Sequence, residues 1–449
     1  MTLNSAFIDH LTTIAPSPAR NLESFAIDSM RPAAAIAPLD RSAAAAALQA
    51  VAAECAVTVP WGGGVQQEMG YAPSRYDVAL STENMARLID YQPGDLTVTV
   101  EGGATLAALQ EILAQHGQFV ALESRDPDRE TIGGLLAVGS SALLRCAYGP
   151  PRDQVIGMAV AMPDGSVIHA GGRVVKNVAG YDLCKLFTGS LGTLGVIVEA
   201  TFRVRPKPQK KLTWIGAFIS AAETESALAA LMDSALQPSF LQMACPDASG
   251  SMGSFAKIDG IVNRWSLIIG ADGDDPLTRW MVDEASKLTS PRADKVIDGA
   301  ASDRVRQWLV QRCGPQGHLC SRVCVLSSEI TALVEDCRCY CLETGVIKMQ
   351  TIAAAANGVC YINFRSADKT NSGRPVWARL VEWLTQEVDR RDGTCAILRC
   401  PPEIRNQLPL WGASAPTWPL MQRIRQTFDP HYTLNRGRMF RECEEGVGE

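Results

Sequence analysis

The chain of 449 residues is long enough for two or three domains, and its 47% hydrophobic and 20% charged residues are typical of a globular protein with a sizeable core. Its net charge is −6, and no basic cluster is longer than Lys210-Lys211, which argues against a nucleic-acid partner. No signal-peptide layout is visible, and no run approaches the roughly 20 mainly apolar residues of a bilayer span. A cytoplasmic protein with fourteen reduced cysteines is therefore expected.

The amino-terminal part of the sequence alternates strand-like and helix-like patterns. Strands are predicted at residues 33–37, 57–59, 78–80 and 96–100. Asp40 and Thr105 each stand where a side-chain oxygen would cap a following helix, and the second helix is expected to stop near Gly117. The strand at 57–59 leads directly into Gly62-Gly63-Gly64.

Residues 155–162 and 166–170 are predicted to form a hairpin around Pro163-Asp164-Gly165, because an Asp-Gly pair favours a tight turn. Gly189, Gly192 and Gly195 follow at intervals of three. A helix would not favour this spacing, since each glycine costs about 1 kcal/mol relative to alanine. The β-branched run at 196–204 then predicts a strand with one buried face.

Pro206-Lys207-Pro208 marks a boundary, after which strands and helices alternate up to about residue 400. This order predicts an antiparallel sheet with helices on one face. The sequence is accordingly divided into a lead-in (1–30), a first domain (31–208), a second domain (209–400) and a return segment (401–449).

The triple glycine is the first candidate binding element. Small residues after a strand let backbone N–H groups converge on an anion such as a diphosphate. A glycine triplet on its own favours a plain surface loop. The pattern is neither a Rossmann fingerprint nor a Walker loop, so nucleoside triphosphate chemistry is not expected.

Five sequence blocks in a fixed order resemble the vanillyl-alcohol oxidase superfamily, which carries PCMH-type FAD-binding domains, and in particular the FAD-binding E subunit of bacterial glycolate oxidases. The blocks are Val59–Gly64, Thr131–Gly134, Lys176–Leu183, Gly189–Ile197, and Phe428–Pro430 with Asn435–Arg438. The resemblance covers nearly the whole chain and is strongest at residues 31–208.

The resemblance implies an α+β fold in which a two-lobed PCMH-type FAD-binding domain is followed by a cap domain with an antiparallel sheet. Val59–Gly64 would be the pyrophosphate loop, and Thr131–Gly134 a loop over the isoalloxazine. The residues expected to bind FAD are Trp61, Gly62, Gly63, Gly64, Val65, Gln66, Thr131, Ile132, Gly133, Gly134, Gly139, Arg152, Gly192, Gly195 and Ile197.

Two of these expectations have alternatives. No histidine lies beside the glycine blocks, and Cys146 is the one nearby candidate for covalent attachment, so the FAD is expected to be noncovalent, with Cys146 a small buried thiol. Arg152 can offset negative charge on the cofactor, or it can simply pair with Asp153 and fix its loop.

The cap of the related 2-hydroxyacid dehydrogenases carries a His-x-Gly-Asp-Gly-Asn-x-His element, whereas the corresponding residues here are Ala354 to Tyr361, with neither histidine nor aspartate. Those side chains would supply a base or metal ligands. No catalytic residue is therefore assigned and no metal is expected. The irregular cysteines, including Cys337, Cys339 and Cys341, do not have iron–sulfur spacing.

The function implied is that of an E-type subunit that holds FAD and supports oxidation of glycolate or D-lactate within a complex. Its partners would be a D-type FAD-linked catalytic subunit and an iron–sulfur F-type subunit, with any membrane contact made at the inner face through these partners. Two alternatives stay open. One is a stand-alone dehydrogenase with a base near Tyr181, His431 or Arg438, and the other is a scaffold that has lost FAD.

Overall fold

The structure, a computed structural model, describes residues 3–172, 181–246, 264–345, 347–366, 374–412 and 416–441. Its internal contacts divide the chain into two units. The first comprises Met1–Ser141, Gly149–Lys207 and Ala415–Glu449, and the second comprises Ala142–Tyr148 and Pro208–Ser414. The four-segment division made from the sequence stays a prediction.

The helices of the described ranges are, in chain order, α1 (Ser5–Ile14), α2 (Arg41–Ala53), α3 (Leu106–Ala114), α4 (Ile132–Val138), α5 (Arg145–Tyr148), α6 (Pro151–Gln154), α7 (Leu183–Phe187), α8 (Ala221–Met232), α9 (Asp275–Thr289), α10 (Gly299–Arg312), α11 (Ile330–Thr344), α12 (Arg374–Asp389), α13 (Pro402–Arg405) and α14 (Trp418–Phe428). In this part of the chain, no helix is long and apolar enough to cross a membrane.

The strands are β1 (Ala34–Ile36), β2 (Thr58–Trp61), β3 (Val78–Ser81), β4 (Leu88–Gln92), β5 (Thr97–Glu101), β6 (Gln118–Phe119), β7 (Val155–Ala161), β8 (Val167–Gly171), β9 (Val196–Arg203), β10 (Arg205–Pro206), β11 (Lys210–Phe218), β12 (Phe240–Ala244), β13 (Trp265–Gly273), β14 (Ala293–Asp298), β15 (Leu319–Cys324), β16 (Ile347–Ala354), β17 (Val359–Ser366) and β18 (Thr394–Arg399).

The first unit contains two principal sheets. A parallel sheet has the order β1-β3-β2, and an antiparallel sheet has the order β4-β5-β9-β7-β8. The predicted helix caps are confirmed, because the Asp40 carboxylate accepts from the N–H groups of Ser42 and Ala43 and the Thr105 side chain accepts from that of Ala108. The predicted hairpin is confirmed by the antiparallel pairing of β7 with β8.

The carboxyl-terminal segment returns to the parallel sheet of the first unit. Leu434 forms a parallel bridge with Thr58 of β2. The Asp429 carboxylate fixes the turn before it by accepting from the N–H groups of Thr433 and Leu434 at 2.9 and 2.8 Å. This turn directs residues 435–438 toward the loop that follows β2.

The second unit is built on the predicted antiparallel sheet, in the order β14-β11-β13-β12-β16-β17-β15-β18. A buried ion pair joins α10 to this sheet. The Arg306 guanidinium contacts the Asp272 carboxylate at 2.6 and 3.1 Å and donates to the Leu212 carbonyl at 2.8 Å. The two charged side chains are only 11% and 9% exposed.

Candidate functional site

In the loop after β2, which lies within the described ranges, arginine side chains bind the backbone carbonyls and leave the backbone N–H groups unbonded. Its carbonyls at Gly62 and Gly63 accept from the guanidinium groups of Arg20 and Arg129, at 3.0 and 2.9 Å. Within the described ranges, the backbone N–H groups of residues 62–66 have no hydrogen-bond acceptor. A row of free N–H groups is the arrangement that binds a diphosphate.

Close packing within the protein explains two of these glycines. A Cβ atom at Gly63 would lie 1.7 Å from the Arg129 carbonyl oxygen, and one at Gly62 would lie 2.0 Å from Thr131 Oγ1. Any side chain here would therefore displace the loop itself. Substitution of Gly63 by Asp would disrupt the loop before its charge could repel a ligand.

The block from Thr131 to Gly134 was expected to be a loop, and this is wrong because it begins α4. Thr131 is the N-cap, and its hydroxyl accepts from the Gly134 N–H. The N–H groups of Ile132 and Gly133 donate to the carbonyls of Ala104 and Gly102. These amides are therefore already satisfied, and the free donors lie in the glycine loop.

Another wall of the site forms where the segment that contains Leu191 meets the carboxyl-terminal return. Asn435 Nδ2 donates to the Leu191 carbonyl at 2.7 Å. Its Oδ1 atom is buried and has no hydrogen-bond partner among the described residues. The Arg438 guanidinium donates to the carbonyls of Gln67 and Met69, both at 2.8 Å. The side chain of Asn435 thus offers an acceptor to a bound group.

These elements enclose a pocket in the first unit with about 770 Å³ of empty space, part of it open to solvent. Twelve of the fifteen residues expected from the sequence line it, namely Trp61, Gly62, Gly63, Gly64, Val65, Gln66, Thr131, Gly133, Gly134, Gly192, Gly195 and Ile197. Residues that sequence reasoning did not assign to the site also line it, among them Glu130, Ala137, Asn435 and Arg438. The resemblance at Asn435–Arg438 was visible in the sequence but carried no assigned cofactor contact, and Arg438 was named only beside a candidate base in the stand-alone alternative.

Three expected residues do not line the pocket. Ile132 is fully buried in the core, and Gly139 caps the carboxyl end of α4. The Arg152 side chain is 60% exposed, and its Nε lies 4.0 Å from the Asp153 carboxylate. Its surroundings fit the alternative in which this pair fixes the loop.

Comparison with known proteins shows what the first unit is similar to. A family model described as an FAD binding domain matches residues 32–171. The whole chain aligns in three dimensions with p-cresol methylhydroxylase, with a TM-score of 0.74 at 16% identity over 97% of this chain and 96% of the other. It also aligns with alkyldihydroxyacetonephosphate synthase, with a TM-score of 0.70 at 17% identity over 97% and 85% of the two chains.

The first unit has the fold of a PCMH-type FAD-binding domain.

Relatives in sequence fall among 2-hydroxyacid dehydrogenases. Glycolate oxidase subunit GlcD of Bacillus subtilis is 25% identical over 85% of this chain and 83% of its own length. The mitochondrial D-lactate dehydrogenase [cytochrome] of Arabidopsis thaliana is 26% identical over 85% and 68%. Glycolate oxidase subunit GlcE of Escherichia coli is 36% identical, but over only 28% of this chain and 36% of its own length. The E-type resemblance is therefore partial, whereas a D-type relative matches most of the chain.

Among the described residues that line the pocket, one is a buried acid. Glu130 is 3% exposed, and its Oε2 atom accepts from Gln66 Nε2 at 3.0 Å and from Ser124 Oγ at 3.3 Å. Burial raises the pKa of Glu130 to about 7. These two hydrogen bonds and the charge of Arg125 oppose the rise, whereas the charge of Asp126 adds to it.

We predict that Glu130 makes folding stability depend on pH. The folded-state pKa lies above the ordinary value of 4.5, so the folded chain holds this proton more tightly. Its stabilising contribution is complete below about pH 4.5 and is lost as the pH rises through about 7. The pKa difference is about 2.5 units, and at about 1.4 kcal/mol for each unit the contribution lost amounts to about 3.5 kcal/mol.

Urea unfolding of the wild type and of Glu130→Gln between pH 5 and pH 8 measures this contribution. The variant should show a flatter profile, because its side chain does not titrate. Parallel profiles for the two proteins would contradict an elevated pKa at Glu130.

The remaining candidate residues predicted from the sequence lie away from this pocket or outside the described ranges. The Tyr181 side chain is 95% exposed, and the motif residues 176–180 lie outside the described ranges. Cys146 belongs to the second unit, and burial raises the pKa of its thiol. The turn after β16, from Ala355 to Asn357, carries no ionisable side chain.

The cysteines Cys337 and Cys341 of α11 lie in buried surroundings that are typical of structural thiols. Cys337 and Cys341 are buried, and burial raises the pKa of both thiols, that of Cys341 to about 12. Among the residues that the structure describes, no group of three or more His, Cys, Asp or Glu side chains could hold a metal ion.

Proposed function

We propose that the chain is a noncovalent FAD-binding oxidoreductase subunit that supports oxidation of a 2-hydroxy acid such as glycolate or D-lactate. The observation that carries the cofactor assignment is the row of free N–H groups at residues 62–66 on the wall of the pocket. The N–H groups would hold the diphosphate, and Asn435 Oδ1 would accept a hydrogen bond from the cofactor. Bound FAD would supply a two-electron acceptor for hydride transfer.

Noncovalent binding is supported by the residues that surround the pocket. Among the described residues that line it, there is no histidine, cysteine or tyrosine. Imidazole, thiol and phenol are the side-chain groups that could form a bond to the flavin ring. Affinity would then come from the backbone donors, the Asn435 acceptor and the shape of the pocket.

The residues in the turn of the β16–β17 hairpin of the second unit support the subunit role. The turn between β16 and β17 runs through Ala355, Ala356 and Asn357. Strand β16 ends at Ala354, and β17 begins at Val359. None of these side chains can remove a hydroxyl proton near neutral pH. We infer that the base is supplied in a complex by a D-type flavoprotein, with an iron–sulfur F-type subunit passing electrons onward.

A second candidate function is a stand-alone 2-hydroxyacid dehydrogenase. It is favoured by the relatives GlcD and D-lactate dehydrogenase, each of which aligns with 85% of this chain. It would need a base outside the hairpin turn. Turnover by the isolated chain separates the two candidates.

We predict that the purified chain carries one FAD, and that acid denaturation releases the yellow cofactor into the supernatant. Ala137→Trp should yield colourless protein, because Ala137 is half-buried on the pocket wall and an indole there would fill the space. The matched control is Ala114→Trp at the exposed end of α3, which should keep its FAD.

Flavin absorbance and far-ultraviolet circular dichroism of the three proteins check this prediction. Wild-type protein that is colourless and takes up no added FAD would exclude the proposal. A folded Ala137→Trp variant with a full complement of FAD would show that the cofactor lies elsewhere.

A further inference from the structure

The buried carboxyl group of Glu130 is bonded to the end of the row of free N–H groups. Glu130 Oε2 accepts from Gln66 Nε2 at 3.0 Å. Residue 66 is the last in the row 62–66, whose backbone N–H groups have no acceptor among the described residues. Gln66 Nε2 also donates to Ser140 Oγ at 3.4 Å. The Gln66 amide therefore ties the carboxyl group to the glycine loop.

One oxygen of this carboxyl group is available to a bound group. Oε2 accepts from Gln66 and Ser124, whereas Oε1 forms no hydrogen bond within the described ranges. Oε1 lies 3.6 Å from the position that a Cβ atom would take at Gly134, and Gly134 also lines the pocket. A ligand in the pocket can thus contact Oε1 without displacing a hydrogen bond of the protein.

No cation forms an ion pair with Glu130 in the described part of the chain. The charges of Arg125 and Asp126, from its own loop, act on it in opposite directions. Two further arginines beside the pocket, Arg129 and Arg438, donate to backbone carbonyls. Burial raises the pKa of Glu130 to about 7, so the charged and neutral forms are both populated near neutral pH.

A negative charge on Glu130 opposes the cofactor that the proposed function assigns to this pocket. FAD carries an anionic diphosphate, and like charges in a site shielded from water repel each other, which disfavours the ionised carboxyl. A protonated carboxyl group is uncharged and gains an O–H donor. Because Oε2 already accepts two hydrogen bonds, the proton belongs on Oε1, from which it can be donated to a bound group.

We propose that Glu130 is a cofactor-binding residue that contacts FAD in its protonated form, so that the chain takes up one proton from solvent when it binds FAD. This inference rests on the proposed function, since it requires FAD in the pocket. By linkage, protonation of Glu130 strengthens FAD binding by the same factor by which FAD strengthens proton binding. FAD affinity is therefore constant below the pKa of Glu130 in the cofactor-free chain and falls as the pH rises above it.

Equilibrium dialysis of the full chain against graded concentrations of FAD, between pH 6 and pH 8.5, tests this proton uptake. With a pKa of about 7, ionised Glu130 outnumbers protonated Glu130 about 30-fold at pH 8.5. The wild type should therefore bind FAD at least about 10-fold more weakly at pH 8.5 than at pH 6. Glu130→Gln has the same shape and is neutral at both pH values. It should bind FAD equally tightly at both, and more tightly than the wild type at pH 8.5.

The matched control is Asp128→Asn, which removes an exposed carboxylate two residues earlier in the same loop and should keep the wild-type pH dependence. Circular dichroism at each pH checks that every protein is folded. Wild-type affinity that is equal at pH 6 and pH 8.5 overturns the inference without any variant and leaves the cofactor assignment standing. Wild-type pH dependence in Glu130→Gln has the same meaning. Wild-type protein that binds no FAD at any pH removes the proposed function, and this inference with it.

Discussion

The isolated, FAD-loaded chain should oxidise glycolate or D-lactate about 10²- to 10⁴-fold more slowly than a reconstituted complex. Positioned general-base catalysis contributes rate factors of this size. The hairpin turn at Ala355–Asn357 lacks an ionisable group. The candidate bases Tyr181 and His431 are both exposed, and a third, Arg438, stays protonated near neutral pH.

Dye reduction by the isolated chain, compared with the chain co-expressed with a D-type flavoprotein and an iron–sulfur protein, measures this difference. The three proteins should elute together from a sizing column. A D-type flavoprotein assayed alone is the necessary control, because it defines the rate that needs no partner. If the isolated chain matches the reconstituted complex, it is a stand-alone dehydrogenase and the subunit role is lost.

Removal of Arg306 should strongly destabilise the second unit. Arg306→Met leaves the Asp272 carboxylate buried at 9% exposure without its cation. It also removes the hydrogen bond to the Leu212 carbonyl at 2.8 Å. Breaking a buried pair from one side typically costs about 3–5 kcal/mol, so we expect a loss of this size in the free energy of unfolding.

Urea unfolding monitored by tryptophan fluorescence measures this loss in the free energy of unfolding. Arg304→Met, an exposed change two residues earlier on α10, should shift the free energy by less than about 0.5 kcal/mol. The double variant Arg306→Met/Asp272→Leu should recover most of the loss, because no uncompensated charge remains. A loss below about 1 kcal/mol in Arg306→Met would mean that water reaches Asp272.

Local signals in the sequence predicted much of the fold. The caps at Asp40 and Thr105 and the turn at Asp164-Gly165 depend on contacts within a few residues, and the structure places the expected elements there. The antiparallel sheet of the second unit was likewise predicted from the order of its strands. The helix α1, in a stretch predicted to be a lead-in, was missed because only Phe7 and Leu11 of its ten residues are buried.

The features that the sequence did not predict depend on contacts between residues that are far apart in the chain. Glu130 becomes notable only because folding buries it beside Gln66, 64 residues away. Arg145 lies among residues that read as part of the first domain, yet its segment packs in the second unit. The pairing of Tyr361 with Arg322 requires the strand order, which periodicity does not specify.

The reach of the carboxyl-terminal return has a consequence for biosynthesis. Arg438 bonds to Gln67 across 371 residues of chain, and Asn435 bonds to Leu191 across 244. At roughly 5–20 residues per second, a ribosome needs about 20–70 s to make the intervening residues. The nascent chain therefore exposes the glycine loop long before the wall that closes it exists. Closure of the pocket must therefore wait until residues 435–438 have been made, and a cofactor that binds earlier meets a pocket without this wall.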